Sequence, residues 1–270
     1  MPKHAKEFQE YLIKPKHKYI SHKQYIESPA TAFLKYAVDA KDAVNCCLNK
    51  FERNADNSFN KNALISLQHI TTAMVPALMG HFETYQRYLF AGMFEHSSLL
   101  KDFNVEKFFK ALGERSSVQI DPVRLAAYRG YHASTGIILA DTLTRWHDPN
   151  KVNTYFGAYM IKKQLYTNKD CEQLETLWQL RHSIVHTGGT ITLPDAQKVK
   201  KLSNYANRQV AFNNQIILEI ARKLHPLVRD ATNRMKQGFD SRLVSNITTE
   251  QRSSLDTLFT VHSSVSAWLR

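Results

Sequence analysis

The residues best suited to chemistry lie in the stretch 174–189, which reads LETLWQLRHSIVHTGG. At about 100° per residue, Arg181 falls on the same side of a helix as Leu177, Trp178 and Ile184, so the spacing predicts a helix with an arginine near the middle of its buried stripe. A guanidinium stays charged and is rarely buried without a partner. Arg181 is therefore expected to meet an acidic side chain, a subunit interface or a bound anion. An arginine–glutamate or arginine–carbonyl contact inside a bundle is the simpler alternative.

His186 follows on the same helix and precedes Gly188 and Gly189, which are suited to ending a helix because glycine enters the left-handed region without a side-chain penalty. Histidine is the side chain best suited to take and give a proton under physiological conditions. A cation that holds a phosphate, beside a group that takes or gives a proton, is the minimum equipment for cleaving RNA, because the 2′-hydroxyl attacks the adjacent phosphate. For His186 alone, the alternative is a polar side chain satisfied at a helix end.

The segment 181–186, RHSIVH, resembles the R-x(4–6)-H motif of the HEPN superfamily, the higher eukaryote and prokaryote nucleotide-binding domains. The second motif position in that family is usually Asn, Asp or His, and His182 fits this pattern. The apolar lead-in 177–180 and the trailing glycines also match. A second segment, 79–89 (MGHFETYQRYL), is similar to the early HEPN helix, where an apolar-plus-Phe-Glu-x-Tyr pattern packs against the motif helix. The resemblance covers roughly residues 31–224 in architecture.

This resemblance implies a metal-independent endoribonuclease in which His186 is the general base or acid, Arg181 contacts the scissile phosphate and His182 orients or supports them. The products would carry 2′,3′-cyclic phosphate and 5′-hydroxyl ends. The resemblance also implies a homodimer whose two motifs face one another, which would explain an arginine on an apolar stripe. Toxins, phage-defence effectors and RNA processing are the settings it suggests, with an antitoxin or another regulatory partner. Because some members of the superfamily lack activity, a non-catalytic module that binds RNA or a partner protein is the alternative.

His182 and His186 also have the spacing of two zinc ligands on one helical face, as in H-E-x-x-H metalloproteases. Ser183 stands where that motif has glutamate, however, and no nearby cluster supplies a third ligand, which would have to come from a distant part of the chain. The chain lacks a phosphate-binding P-loop, a G-x-G-x-x-G after a strand, a G-x-S-x-G elbow and a CxxC pair. We therefore expect neither a metal nor a cofactor, and a zinc hydrolase ranks third among the hypotheses.

The composition is that of a folded, basic protein. Of the 270 residues, 43% are hydrophobic, which excludes a wholly disordered chain. The chain has few glycines and prolines and almost no alternating strand pattern, which favours an all-α fold. The resemblance implies that this fold is a HEPN-like helical bundle. The formal net charge of +12 favours a polyanionic partner such as RNA, since neutralised phosphates release counterions. Charge alone does not separate RNA from DNA or from anionic lipid.

Cysteine usage and apolar runs indicate the compartment. Cys46, Cys47 and Cys171 form neither a disulfide framework nor a zinc pattern, which favours a reducing environment. The N-terminus lacks the apolar core of a signal peptide, and no apolar run approaches the roughly 20 residues of a membrane span. We expect a cytoplasmic protein with no membrane partner.

Three parts are expected along the chain. Residues 1–30 form a basic, aromatic N-terminal arm, which either tracks a nucleic-acid backbone or drapes over the bundle through its aromatic side chains. Residues 31–236 form the HEPN-like helical domain, with an insertion around 100–150 that includes a helical pattern across 124–146. Residues 237–270 form an extra C-terminal helix packed on the bundle.

Caps and prolines set the expected helix boundaries. Thr167 is placed to begin the central helix. Thr192 and Asp195 are expected to cap a long helix that runs to about residue 224. Prolines break helices because they lack an N–H group and crowd the preceding turn, so Pro76 is expected to kink or split its helix and Pro226 to interrupt the next.

Two further groups of residues are candidates for the site. The segment 198–236 has the most basic face after the N-terminal arm, with a plain solvated face as the alternative. Its candidate RNA-binding residues are Lys198, Lys200, Lys201 and Arg208. Glu83 and Arg87 are four residues apart, which favours an intrahelical ion pair. The sharper hypothesis is that His81, Glu83 and Arg87 line the cleft beside Arg181.

Overall fold

The structure is a computed structural model that describes residues 7–12, 20–116, 123, 126 and 134–263. The described chain is mostly helical with one two-stranded ribbon, which confirms the all-α prediction. The helices are α1 (His22–Glu27), α2 (Pro29–Leu48), α3 (Lys61–Glu95), α4 (Val105–Ser116), α5 (Thr135–Thr142), α6 (Pro149–Gly157), α7 (Asn168–His186), α8 (Leu193–Lys198), α9 (Ile216–Asp240) and α10 (Thr249–Leu258). The strands are β1 (Thr190–Ile191) and β2 (Arg208–Gln209), and short 3-10 turns cover Phe8–Tyr11, Ser97–Leu99 and Lys200–Tyr205.

Helix α3 lies at the centre of the bundle. Helices α2, α5 and α7 pack along it, and α9 packs on both α2 and α3. Phe82, in the middle of α3, is fully buried, and its ring centroid lies 6.3 Å from those of Tyr166 and Trp178. Trp178 belongs to α7, so the aromatic core reaches directly onto the helix that carries the arginine and the histidines.

From residue 20 onward, the region expected to form a basic arm belongs to the bundle. Tyr25 of α1 is buried, and its hydroxyl is hydrogen-bonded to Nδ1 of His81 on α3 at 2.7 Å. This part of the chain packs on the bundle through its aromatic side chains. Residues 1–6 and 13–19 of the expected arm lie outside the described residues.

Neither internal proline ends its helix. Helix α3 runs through Pro76 and α9 runs through Pro226, so the predictions of a split and of an interruption are wrong, while a kink at Pro76 stays a prediction. An internal proline costs a helix roughly 3 kcal/mol. The turns on both sides of Pro226 bury Leu224, Leu227 and Val228 in the core. Because each buried aliphatic side chain contributes about 1.5–3 kcal/mol, tertiary packing outweighs the local cost.

The prediction of one long helix from Asp195 to about residue 224 is also wrong. The start is correct, since the Thr192 hydroxyl accepts a hydrogen bond from the Asp195 N–H at 3.3 Å. Helix α8 stops at Val199, whose backbone is extended. Asn207 then adopts a left-handed φ of 59°, a conformation that asparagine tolerates, and the chain turns so that β2 pairs antiparallel with β1.

The apolar residues that suggested this long helix form a second, smaller cluster instead. Its buried members are Ile191, Ala196, Val199, Leu202 and Val210. Leu180 and Ile184 of α7 pack against this cluster. Residues 190–210, which we call the lobe, are therefore a small folded unit anchored on the C-terminal half of α7.

The two ends of the fold and the insertion differ in part from the expectation. Helix α9 continues to Asp240, past the boundary expected at residue 236, and a separate helix, α10, follows it. Residues 264–270 of the expected C-terminal helix lie outside the described residues. Of the helical pattern expected across 124–146, residues 135–142 form α5 and residues 143–146 are not helical, whereas 124, 125 and 127–133 lie outside the described residues.

Helix α3 is long and apolar enough to cross a membrane by length and composition. The expectation that no segment reaches this length and apolarity is therefore not met. The core helix of a soluble protein passes the same test, so the finding is weak evidence for a membrane span. In this fold, 33% of the most apolar 18-residue stretch of α3 is buried inside the bundle.

Candidate functional site

Helix α7 begins at the cap that its sequence predicts. The Thr167 hydroxyl accepts a hydrogen bond from the Asp170 backbone N–H at 3.2 Å, and the Asp170 carboxylate accepts one from the Thr167 backbone N–H at 2.9 Å. This reciprocal capping box satisfies two N–H groups that a helix start otherwise leaves without a partner. Asp170 is also tied to Arg234 of α9 at 2.9 Å, so the start of α7 is fixed to the bundle.

Two glycines end α7, as predicted. Gly188 and Gly189 have φ values of 61° and 82°, in the left-handed region that favours glycine. The N–H groups of Thr187 and Gly189 both donate to the Ser183 carbonyl, at 3.3 and 2.9 Å, which satisfies a carbonyl of the last turn. His186 is therefore the last helical residue, and it is exposed.

The stripe that carries Arg181 is only partly covered from the arginine onward. Leu174 and Trp178 are 0% and 5% exposed, whereas Arg181 is half-buried and Val185 is 46% exposed. The prediction that Arg181 lies in the middle of a buried stripe is therefore wrong. A helical wheel assumes that one side is covered along its whole length. Here the bundle buries the first turns of α7, whereas in the last turns Ile184 packs against both the bundle and the lobe while Val185 stays exposed.

Arg181, His182 and His186 meet at this open end of α7. Nη1 of Arg181 lies 3.4 Å from Nε2 of His186. The imidazole centroids of His182 and His186 are 4.9 Å apart, with the rings tilted by 43°. A permanent cation and two titratable rings thus share one partly exposed surface, which is able to hold an anion and to move a proton.

Asp195 of the lobe adds a buried carboxylate beside this group. Its side chain is 5% exposed, and Oδ1 lies 4.0 Å from Nε2 of His182, which is an ion-pair distance rather than a hydrogen bond. The carboxylate accepts hydrogen bonds from Lys198 Nζ at 2.9 Å and from the Thr192 hydroxyl at 2.8 Å. Burial raises the pKa of this carboxyl, but these hydrogen bonds and the charges of Lys198 and His182 outweigh burial and lower it. The sequence identified Asp195 only as part of a cap, because its approach to His182 depends on how the lobe folds back.

The same neighbours act on His182. Burial lowers the pKa of His182, the charge of Asp195 raises it in part, and the charges of His186, Lys198 and Arg181 lower it further. Since the net effect is a decrease from 6.5, His182 is mostly neutral at neutral pH. Across the described ranges, no group of three or more His, Cys, Asp or Glu side chains is arranged to hold a metal ion.

The predicted RNA-binding residues all lie on the lobe and are exposed. They are Lys198, Lys200, Lys201 and Arg208. Lys198 is held by Asp195, and Lys201 lies 3.6 Å from Glu172 of α7. Lys200 and Arg208 have no acidic partner in the part of the chain that the structure describes. Their charges are therefore open to an external anion.

Much of the remaining basic face has a structural role. Arg234 donates to Asp170 at 2.9 Å, and Lys236 donates to Asp256 at 2.5 Å. Arg222 is paired with Glu219 at 3.0 Å. These contacts tie α9 to its neighbours or neutralise charge on its own surface, so the lobe is the better candidate for an RNA surface.

The residues predicted to line a cleft with Arg181 have other contacts. Arg87 donates to Glu83 at 2.6 Å, which confirms the predicted intrahelical pair, and it also approaches Asp141 of α5 at 3.4 Å. His81 is engaged in the contact with α1. No contact recorded between described residues joins His81, Glu83 or Arg87 to Arg181, and their place in a common cleft stays a prediction.

An open groove of about 160 Å³ lies between α7 and α9. Its apolar side chains include Leu177, Ile220 and Leu224, and two lysines, Lys201 and Lys223, also line it. Arg181 and His186 do not line this groove. The groove and the motif are therefore separate features of α7.

Comparison of the chain with protein-family models, with curated proteins and with solved structures finds no match. The fold and the site define the class in structural terms. It is a helical bundle in which one helix carries an arginine and two histidines at its open end, next to a small basic lobe.

Proposed function

We propose that the protein is a metal-independent endoribonuclease of the HEPN type. The observation that carries this proposal is the 3.4 Å contact between Arg181 and His186 at the exposed end of α7. The resemblance of the segment 181–186 to the R-x(4–6)-H motif supports the same residues. Lys200 and Arg208 on the adjacent lobe, which have no acidic partner among the described residues, favour an RNA backbone as the anion.

In the proposed reaction, His186 takes the proton from a ribose 2′-hydroxyl, and the 2′-oxygen attacks the neighbouring phosphorus. The bond between phosphorus and the 5′-oxygen breaks, and the leaving oxygen receives a proton from the equivalent histidine of a second protomer. Arg181 stabilises the negative charge that develops on the phosphate, and His182 supports the pair. The products are a 2′,3′-cyclic phosphate and a 5′-hydroxyl. DNA lacks the attacking hydroxyl and is expected to bind without being cut.

A homodimer is part of this proposal. Val185 is an exposed apolar residue on the same stripe as Arg181, and a dimer through this end of α7 would cover it. A dimer in which the open ends of the two α7 helices face one another would bring both motifs together, as the resemblance implies. A toxin, phage-defence or RNA-processing role, an antitoxin or other regulatory partner, and a cytoplasmic location belong to the same proposal.

The direct test is cleavage of a mixed RNA pool by the purified protein in EDTA, with identification of the product ends. Arg181→Ala and His186→Ala are assayed alongside the wild type. We expect wild-type products with cyclic phosphates and a loss of about 10²–10⁴-fold in turnover for His186→Ala. Full activity in a folded His186→Ala protein would rule out this role for the histidine, and loss of wild-type activity in EDTA that zinc restores would favour the zinc hydrolase.

A non-catalytic RNA-binding module is the second candidate function. The observation that favours it is the exposed charge of Lys200 and Arg208, which is present whether or not the motif acts in catalysis. This function predicts RNA binding that weakens steeply with salt, because each neutralised phosphate releases counterions. Binding of this kind by a wild-type protein that never cuts RNA would favour the module over the enzyme.

A further inference from the structure

Tyr205 is an exposed aromatic residue of the lobe that the proposed cleavage chemistry does not use. It ends the 3-10 turn Lys200–Tyr205, and 48% of its surface is exposed. The guanidinium of Arg208 lies over its ring, 5.4 Å from the centroid. The aromatic residues of the main core are buried, whereas this ring leaves nearly half of its surface in solvent beside a cation.

The lobe holds this pair near the motif. Arg208 is paired with Ile191 in the β-ribbon, and the Val210 N–H donates to the Gly189 carbonyl at 2.6 Å. Ile191 lies two residues beyond Gly189, a span of about 7 Å in an extended chain. Gly189 belongs to the turn that follows His186, so the aromatic site and the motif lie at the same end of α7.

The charges around Tyr205 match a polyanion that carries flat rings. Lys200 begins the turn that Tyr205 ends, and neither Lys200 nor Arg208 has an acidic partner among the described residues. Proteins bind single strands through cations that follow the phosphates and aromatic side chains on which bases stack. Within a duplex the base faces are covered by their neighbours, so an aromatic ring finds far more open base faces on a single strand. An acidic peptide would use the cations without needing the ring.

We propose that Tyr205, backed by Arg208, is a stacking site for an unpaired base, and that the lobe selects single-stranded RNA. This inference deepens the proposed function by naming its substrate class, and its meaning for cleavage rests on that function. The binding step itself is measurable without any cleavage.

The test uses a fluorescently labelled 2′-O-methyl oligonucleotide, which has no free 2′-hydroxyl and is not cut. Its affinity is measured by anisotropy in three forms: the single strand, the same strand with abasic positions throughout, and the strand in a duplex. The variants are Tyr205→Ala, Tyr205→Phe, which keeps the ring, and Leu193→Ala, which removes an exposed apolar side chain of similar exposure from the same lobe.

We expect Tyr205→Ala to bind the single strand about 5- to 150-fold more weakly than the wild type, the range for loss of one stacked base. Its affinity for the abasic strand should be unchanged, because only the phosphates contact the protein there. Tyr205→Phe and Leu193→Ala should bind like the wild type, and the wild type should prefer the single strand to the duplex.

An unchanged affinity of Tyr205→Ala for the single strand would overturn the stacking site. Equal weakening for the base-containing and abasic strands would also overturn it, since the effect would then come from the lobe or from the phosphates. Tighter binding of poly-glutamate than of RNA would assign the cations to an acidic peptide. If the stacking signature is present but no RNA is cut in the cleavage assay, the ribonuclease proposal fails while the base-binding site stands.

Discussion

Nη1 of Arg181 lies 3.4 Å from Nε2 of His186, one turn and a half further along α7. The contact is long for a hydrogen bond between nitrogen atoms, and the described residues provide no closer partner for either group. The two side chains therefore face the same small volume without being locked together, and an anion that enters this volume would contact both.

Because of this shared volume, we expect Arg181 and His186 to act as a unit in cleavage. Arg181→Ala should lower kcat/KM by about 10²–10³-fold through loss of one donor to the phosphate, and His186→Ala by about 10²–10⁴-fold. The double variant should lose little more activity than the worse single variant, because the effects of residues that cooperate in one step are strongly non-additive.

Cleavage rates on a defined RNA, with the cyclic-phosphate ends identified, provide the measurement. His69→Ala, which removes an exposed histidine from the first half of α3, is the matched control and should keep full activity. Fully additive losses would show that the two groups act independently.

The glycine turn after His186 offers a stability test with an internal control. Gly189 has φ of 82°, and a Cβ built there meets nothing within 4 Å, so Gly189→Ala should cost about 1–2 kcal/mol through backbone conformation alone. Gly80 lies inside α3, and a Cβ there also meets nothing within 4 Å. The same substitution at Gly80 should stabilise the protein by about 0.5–1 kcal/mol, because alanine favours helix. Urea unfolding of the two variants measures both effects, and shifts of the same sign would contradict the conformational argument.

Local signals in the sequence were enough to predict the ends of α7. Thr167 and Asp170 predict the start and the glycines predict the end, since a cap or a left-handed turn depends on only a few neighbouring residues. The helical class follows in the same way from spacing summed over long stretches. The contact of the segment 79–89 with α7, through Phe82 and Trp178, also agrees with the packing expected for that segment.

The sequence did not reveal which part of the protein covers each helix face, because this depends on the tertiary structure. Val199, Leu202 and Val210 have spacing compatible with one helix, but they are buried in the lobe because the chain turns at Asn207. The exposure of Arg181 depends on where the bundle stops along α7. The approach of Asp195 to His182 and the position of Arg208 over Tyr205 depend on the folded lobe, and a linear pattern reports neither.

Stability should fall as the pH drops below neutral. Burial lowers the pKa of His81 from its usual 6.5, so the folded state binds this proton less readily than the unfolded state. The stabilising contribution of the neutral ring is present above pH 6.5 and is lost as the pH falls through the folded-state pKa. His96, His182 and His225 are shifted in the same direction, with burial as the largest cause in each.

Urea midpoints at pH 7.5 and pH 5.5 test this expectation. The midpoint should be lower at pH 5.5, and His81→Gln should show a smaller difference between the two pH values, because glutamine does not titrate. This variant also loses the contact with Tyr25, so the pH dependence rather than the absolute midpoint is the informative quantity. A wild-type midpoint that does not change with pH would contradict the lowered pKa values of these half-buried histidines.

The lobe has its own small core, so a cavity there should act locally. Ile191 is 4% exposed in the second cluster, whereas Ile217 is 1% exposed in the main cluster. Either isoleucine-to-alanine change removes packing worth about 2–5 kcal/mol. We expect Ile191→Ala to speed hydrogen exchange of the amides in 190–210 and to weaken RNA binding, with little change in the global unfolding midpoint, because sub-global units open separately. Ile217→Ala should lower the global midpoint without selectively speeding exchange in the lobe. If Ile191→Ala lowered the global unfolding midpoint as much as Ile217→Ala does, the lobe would unfold together with the bundle as one cooperative unit. The position of its basic and aromatic residues would then depend on the stability of the whole bundle.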